Sequence, residues 1–408
     1  MGILNQLFEI SCSENTNKKL GNILISGAKN NGRKKFQDDL LKDLFEAKKL
    51  IFLVNGMLSD IEHGDLLNFV SSNIAEGAQS YDFNIGDSTS CVDILSAFEN
   101  ADQKTEFIKG LIASAGCSEK FITMAGRFYK CAIKALDALG KEYKLMDLSK
   151  LDIDAVVDLV ESTDLPDTEK SRSFKFLEDD AMHASYFDID NSMEELESAG
   201  LLRMFSGDLK ISDLLLAGNV ILLSGKISDN EKKKEQLFNA FFHAISKCLQ
   251  KNIDEKEVSF FINDTDFIAG EYITDVLSLN SSYDCAAYVF IEDLRKYHET
   301  EINAIFDNSK SFLIFQQGSD ENAKFWSAFF GHRDINKTTV TFTRQKGFFA
   351  RLFSGGVVAQ PMGDPDSKSV TLQKVNGPIY KPEVFRELKP NEVLIFLRDP
   401  LKRKKRTI

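Results

Sequence analysis

Between Gly21 and Val54 the chain alternates in a way that few folds permit. An apolar run (NILIS) leads into a glycine-containing turn (GAKNNG). A segment with Leu40, Leu41, Leu44 and Phe45 on one helical face follows, and then a second apolar run (LIFLV). Short runs that are apolar throughout read as strands covered on both faces, and the helical spacing between them reads as a crossover helix. The product is a βαβ unit of a parallel sheet. Another strand-like segment, QSYDFNI, follows a helical stretch near Ile61 to Ala75 and extends the sheet.

From about Val92 the pattern becomes helical only. Phe107, Ile108, Leu111 and Ile112 share one face, and Phe128, Ala132, Ile133 and Leu136 share another. Strand character returns at NVILLSGKI and is followed by a helix carrying Leu237, Phe238, Phe241, Phe242, Ile245 and Leu249. Further strands are expected at VSFFIND, AAYVFIED, SFLIFQQ and EVLIFLRD. An α/β sheet interrupted by an all-helical insertion explains this order. The expected division is 1–90 and 206–401 for the two parts of the sheet domain, 91–205 for the insertion, and 402–408 for a basic tail. The stretch 330–385, rich in Gly, Pro, Thr and Ser, reads as irregular strand and loop. Its GFFARLF tract is expected in a core or a subunit contact, with a membrane contact as the alternative. The tail LKRKKR is expected to be solvated, the alternative being nucleic acid or anionic lipid.

Composition excludes several classes. A formal net charge of −12 over 408 residues repels phosphate backbones on average, so nucleic acid would need a local basic surface. The cysteines (Cys12, Cys91, Cys117, Cys131, Cys248, Cys285) form no C-x-x-C pair and the histidines show no metal-ligand spacing, so a reduced, metal-free protein is expected. Cys285 and His243 read as core residues. No segment reaches the roughly 18 uncharged apolar residues of a membrane helix. The opening residues lack a signal-peptide pattern, and Asn5 and Gln6 stand where a myristoylation signal wants Ser or Thr. A cytoplasmic location is expected.

The turn after the first strand is a phosphate-binding loop in outline. Such a loop is G-x-x-x-x-G-K-[ST], whose glycines let the backbone wrap phosphates, whose lysine pairs with them and whose hydroxyl binds magnesium. Here Gly27 and Gly32 are in place, but Arg33 stands at the lysine position and Lys34 at the hydroxyl position, with Lys35 beyond. A matching acidic pair is expected at the end of VSFFI. That pair is Asn263 and Asp264, an amide for the metal-binding carboxylate and a shorter acid for the general base.

With these elements in order, the chain resembles the TraG/TraD branch of type IV secretion and conjugation coupling proteins over roughly Gly21 to Asp399. SEKFITMAGRFYKCAIKAL is similar to that family's aromatic-rich helix near the start of its insertion, and MFSGDLKISDLLLAGNVILLSGKI to its return into the sheet. SKSFLIFQQGSDENAKFWSAFFG and LKPNEVLIFLRD are similar to its late strand–helix unit and closing strand. The resemblance implies a RecA-like P-loop sheet with an inserted all-α domain. It also implies a sensor position, normally Gln, at Glu292, and arginines near Asn280 to Tyr283, where there are none. The family's N-terminal membrane helices have no counterpart.

Lys34, Asn263, Asp264, Glu292 and the missing arginines are departures gathered at one site, so no residue is assigned a catalytic role. The first reading is an inactive coupling-protein-like subunit acting in assembly or substrate recruitment. It would bind type IV secretion components or a catalytic coupling ATPase, or self-associate, and would hold ATP or another nucleotide only weakly and without magnesium, through Gly27, Gly32, Arg33, Lys34 and Lys35. The second is an active motor moving DNA or protein, with Arg33, Lys34 or Lys35 and Asp264 or Asp266 taking over the missing roles. The third is an unrelated α/β interaction protein.

Overall fold

The computed structural model describes residues 22–407, apart from 29–30, 86–89, 227–228, 253–256, 264–267, 269, 283–284, 295–296, 298, 345–365, 390–391 and 398–402. Two compact units result, 1–316 with 389–408, and 317–388.

The first unit is built on one sheet of nine strands. They are β1 (Ile23–Ser26), β2 (Leu50–Leu58), β3 (Ser80–Asn84), β6 (Val220–Lys226), β7 (Val258–Asn263), β8 (Cys285–Ile291), β9 (Ser311–Ile314), β12 (Glu392–Leu397) and β13 (Arg403–Thr407), in the order β13-β12-β9-β1-β8-β7-β2-β6-β3. From β9 to β3 every pairing is parallel, while β12 is antiparallel to both β9 and β13. The inner parallel strands are largely apolar because both faces are covered, and every residue of β8 is buried, whereas the edge strand β3, SYDFN, is mixed.

Helix α1 (Asn31–Glu46) covers one face, setting Phe36, Leu40, Leu41, Leu44 and Phe45 against Ile25, Leu53, Phe261, Tyr288 and Phe315. Helix α2 (Asp60–Asn73) lies on the same face but buries only Val70 completely. On the opposite face Phe52 stacks on Phe260 at 4.9 Å, and Phe83 meets Phe241 of a 22-residue helix, Glu231–Asn252, at 4.5 Å.

Between β3 and β6 lies the helical insertion. Its longest helices are Ala101–Ser114, Glu119–Ala138 and Asp180–Ser198, each with its apolar stripe buried. The chain leaves and rejoins the sheet through a narrow neck, where β4 (Val92–Asp93) pairs in parallel with β5 (Leu209–Lys210). This two-residue pairing is too short to leave a periodic signal in the sequence. The insertion docks on helix Glu231–Asn252 through Phe98 and Phe107, whose rings stand edge-on to His243 at 5.5 and 5.9 Å.

Burial, aided by Lys247, holds the His243 imidazole below its ordinary pKa, so the folded protein keeps it neutral. The unfolded chain then takes up the extra proton as pH falls below about 6.5, and stability is lost across the window from there down to the depressed folded value. Replacing His243 by Phe should flatten the loss of thermal midpoint between neutral pH and pH ~5 relative to the parent, read by scanning calorimetry. Parallel curves for the two proteins would refute it.

The second unit corrects the expectation of irregular structure across 330–385. There β10 (His332–Arg344) and β11 (Asp366–Pro378) form an antiparallel ribbon in register from His332↔Pro378 to Arg344↔Asp366. Thr- and Val-rich segments (TTVTFT, SVTL) supply strand propensity that the flanking Gly and Pro residues obscure. The GFFARLF tract, Gly347 to Phe353, lies outside the described residues. In the basic tail Arg403–Thr407 forms β13 at the edge of the sheet, and charged residue types suit an edge that must not recruit another strand.

Candidate functional site

The carboxyl ends of β1, β8, β7 and β2 meet where α1 begins. Gly27 closes β1 with φ +147, a backbone state costly for other residues, and an added Cβ would lie 2.7 Å from Phe315 Cβ. The loop starts by bonding to its neighbours, since Gly27 N–H donates to the Ile291 carbonyl (3.2 Å) and Ala28 N–H to the Gln316 carbonyl (2.9 Å). Those two donors are therefore spent on the sheet rather than offered to a phosphate.

Arg33, in the first turn of α1, is 1% exposed. Its guanidinium donates to the Gly27 carbonyl through Nη1 and to Asn263 Oδ1 through Nη2 (3.2 Å), and sits 5.4 Å from the centroid of Phe290. Gln37, one turn later, donates Nε2 to the same Asn263 oxygen (3.1 Å). Loop, helix and β7 are thus tied by one hydrogen-bonded group whose members lie 230 residues apart.

Of the residues picked from sequence, Gly27, Arg33 and Asn263 are brought together, with Gly32 in the same first turn of α1. A phosphate loop and its acidic-pair position would be expected at the ends of neighbouring strands, but β8 runs between β1 and β7. Lys34 and Lys35 are exposed on α1, Glu292 is exposed just past β8, and Asp264 and Asp266 lie outside the described residues. Gln37 carries no motif signal in the sequence, and Asn55 stands there only as the residue that closes the second apolar run, LIFLV. Register could have found Asn55, since it pairs with Asn263 as the last polar residue of an apolar strand.

A cleft of about 730 Å³ opens from this point between α1 and α2. Leu53 of β2 and Phe261 of β7, paired in register, lie at its base, with Asn55 and Asn263 two residues further on. On the α1 wall, partial burial raises the Asp38 carboxyl above its ordinary range against the pull of Lys34 and Lys42. On the far side, α2 is anchored to the sheet edge. His63 Nε2 lies 3.3 Å from Asp82 Oδ2 and 3.1 Å from Ser224 Oγ, and Lys226 pairs with Asp60 at 2.9 Å. Ser224 Oγ donates to Asp82 Oδ1 (3.0 Å), so it is no activated nucleophile. Burial raises the Asp82 carboxyl although His63 opposes the shift.

Among the described residues, the two positions where a phosphate-loop site offers magnesium a ligand do not suit it. The hydroxyl position carries the Lys34 ammonium, and the Asn263 oxygen already accepts from Arg33 and Gln37. No group of three His, Cys, Asp or Glu side chains among the described residues is placed to hold a metal. Exchanging Asn263 for Asp should stabilise the fold by about 1 kcal/mol, because a carboxylate is the stronger acceptor for a buried guanidinium. A lower thermal midpoint at neutral pH would contradict this account of Arg33.

In sequence the chain matches no family model and no curated protein. In structure it is similar to the bacterial conjugative coupling protein TrwB lacking its first 70 residues, in an unbound form, at TM-score 0.65 and 12% identity, covering 98% of this chain and 90% of that one. It is also similar to TrwB in complex with ADP and Mg2+ (TM-score 0.62, 11% identity, 98% and 90% covered). VirB4 of Thermoanaerobacter pseudethanolicus matches at TM-score 0.56 and 7% identity, with 97% and 91% covered. At these identities the likeness is one of fold: a RecA-like P-loop sheet carrying an all-α domain.

Proposed function

We propose that this chain is a coupling-protein-like subunit of a type IV secretion or conjugation system that has given up ATP hydrolysis and acts in assembly or substrate recruitment. The observation that carries the reading is the turned-in Arg33. In a working phosphate loop the basic side chain faces the phosphates and the strand-end carboxylate holds the metal. Here the two positions hold each other.

Anion binding is retained in weakened form. Lys34 and Lys35 are exposed at the N-terminal end of α1, where the helix dipole favours negative charge, so a nucleotide would bind weakly and without magnesium. TrwB has been solved with ADP and Mg2+, which keeps nucleotide binding within this reading.

The insertion, 91–205, is the part we assign to partner or cargo contact, and residues 1–90 and 206–401 the part we assign to the RecA-like frame. Self-association, or association with a catalytic coupling ATPase, follows from the same reading. No helix among the described residues is long and apolar enough to cross a membrane, so any peripheral place at the inner membrane would come through those partners.

An affinity pull-down of the tagged chain from its native cell, analysed by mass spectrometry, tests the proposal. Secretion or conjugation components, or a larger coupling ATPase, should co-purify above an untagged control. A strictly monomeric protein that retains none of them would overturn it.

A further inference from the structure

We infer that the cleft between α1 and α2 is a binding site for a flat, neutral heteroaromatic molecule of the nucleobase or nucleoside class. This inference does not depend on the proposed function. Either can fail alone, because the ligand would lie beside the phosphate loop, against β2 and β7.

The chemistry at the cleft's inner end selects that class. Gln37 Nε2 donates to Asn263 Oδ1, joining the two carboxamides by one hydrogen bond. That leaves Gln37 Oε1 as an acceptor and Asn263 Nδ2 as a donor; neither atom bonds a described residue, and both side chains line the cleft. A donor beside an acceptor is the complement of a heteroaromatic edge carrying a ring nitrogen or carbonyl next to an N–H, the pattern by which Asn and Gln read bases. Leu53 and Phe261 supply an apolar base, and Phe69 of α2 presents an aromatic side chain from the wall. The volume, about 730 Å³, lies in the range of small-ligand sites.

Charge argues for a neutral ligand. Around the cleft Arg33, Lys34 and Lys42 are balanced by Asp38, Glu62 and Asp65, and the Arg33 guanidinium is already bonded to Gly27 and Asn263. A triphosphate would gain little from such a rim, since the acids on α2 repel what the lysines on α1 attract. The loose seating of α2, with only Val70 fully buried, leaves the cleft unfilled by the side chains of the described residues.

The experiment is titration calorimetry with saturation-transfer NMR on the full chain, using adenosine, guanosine, cytidine, uridine and ATP as probes. At least one nucleoside should bind saturably, and ATP no more tightly than adenosine. Gln37→Leu should weaken that binding about tenfold, the worth of one hydrogen bond to a buried partner, and Gln37→Glu, which loses the Nε2 bond to Asn263, should weaken it as well. Thermal midpoints near that of the parent show that both variants fold. Three results would each overturn the inference: no saturable nucleoside binding at millimolar concentration, equal binding by Gln37→Leu and the parent, or ATP binding far tighter than adenosine. The last would place the affinity in the phosphate loop.

Discussion

Purified chain supplied with ATP and magnesium is expected to release phosphate no faster than the buffer blank. Three separate requirements fail together. The metal has lost its hydroxyl ligand to Lys34 and its carboxylate to Asn263, and the Asn263 oxygen is in any case occupied by Arg33 and Gln37. The basic side chain that should neutralise the phosphates is buried and directed at the Gly27 carbonyl. Charge-stabilising groups of this kind are each commonly worth on the order of a hundredfold in rate. Restoring one therefore should not restore turnover. The double exchange Arg33→Lys with Lys34→Thr should stay inactive while Asn263 remains, because the metal would still lack its anion. Magnesium-dependent hydrolysis by the parent, abolished by Asp264→Ala, would instead establish an active motor.

Gly207→Ala is expected to be among the most damaging single exchanges in the chain. Gly207 sits at the neck where the insertion rejoins the sheet, and its N–H donates to the Val92 carbonyl (3.1 Å). A Cβ there would lie 2.3 Å from the Cys91 carbonyl carbon, 2.4 Å from its oxygen and 2.6 Å from Val92 N. Those are backbone atoms, so no rotamer change relieves the clash, and the two crossings of the neck must separate. The β4–β5 pairing and the bridge between Asp93 and Ser206 would be strained with them. Overpacking of this kind costs about 3 kcal/mol, which for a unit of this size lowers the thermal midpoint by roughly 4 °C. Gly140→Ala serves as the comparison: its φ is positive (+61) but nothing lies within 4 Å of the added carbon, so its cost is backbone strain alone. Equal losses for the two would show that the neck is not closely packed.

Much of the frame is already present in the amino-acid order. Strands buried on both faces are apolar at nearly every position, so VSFFI, AAYVFI and NVILL announce themselves without knowledge of their neighbours. The stripe of Leu40, Leu41, Leu44 and Phe45 likewise fixes which face of α1 meets the sheet, because helical periodicity is a local property. Residue types at the loop are equally local: Gly27 and Gly32 are kept, while Arg33, Lys34 and Asn263 depart from the phosphate-loop pattern in any conformation. What periodicity does not encode is order across the sheet, where β8 enters between β1 and β7 because crossover connections, not nearest neighbours in sequence, choose the pairing. Nor does it encode the β10–β11 ribbon, whose strand pattern is masked by flanking turn residues, or the edge pairing of the basic tail. Arg33 and Asn263 read separately as two defects. Only the fold, by bringing residues 230 apart within hydrogen-bond distance beside Gln37, makes them one bonded group, since burying a guanidinium requires acceptors that the local sequence does not supply.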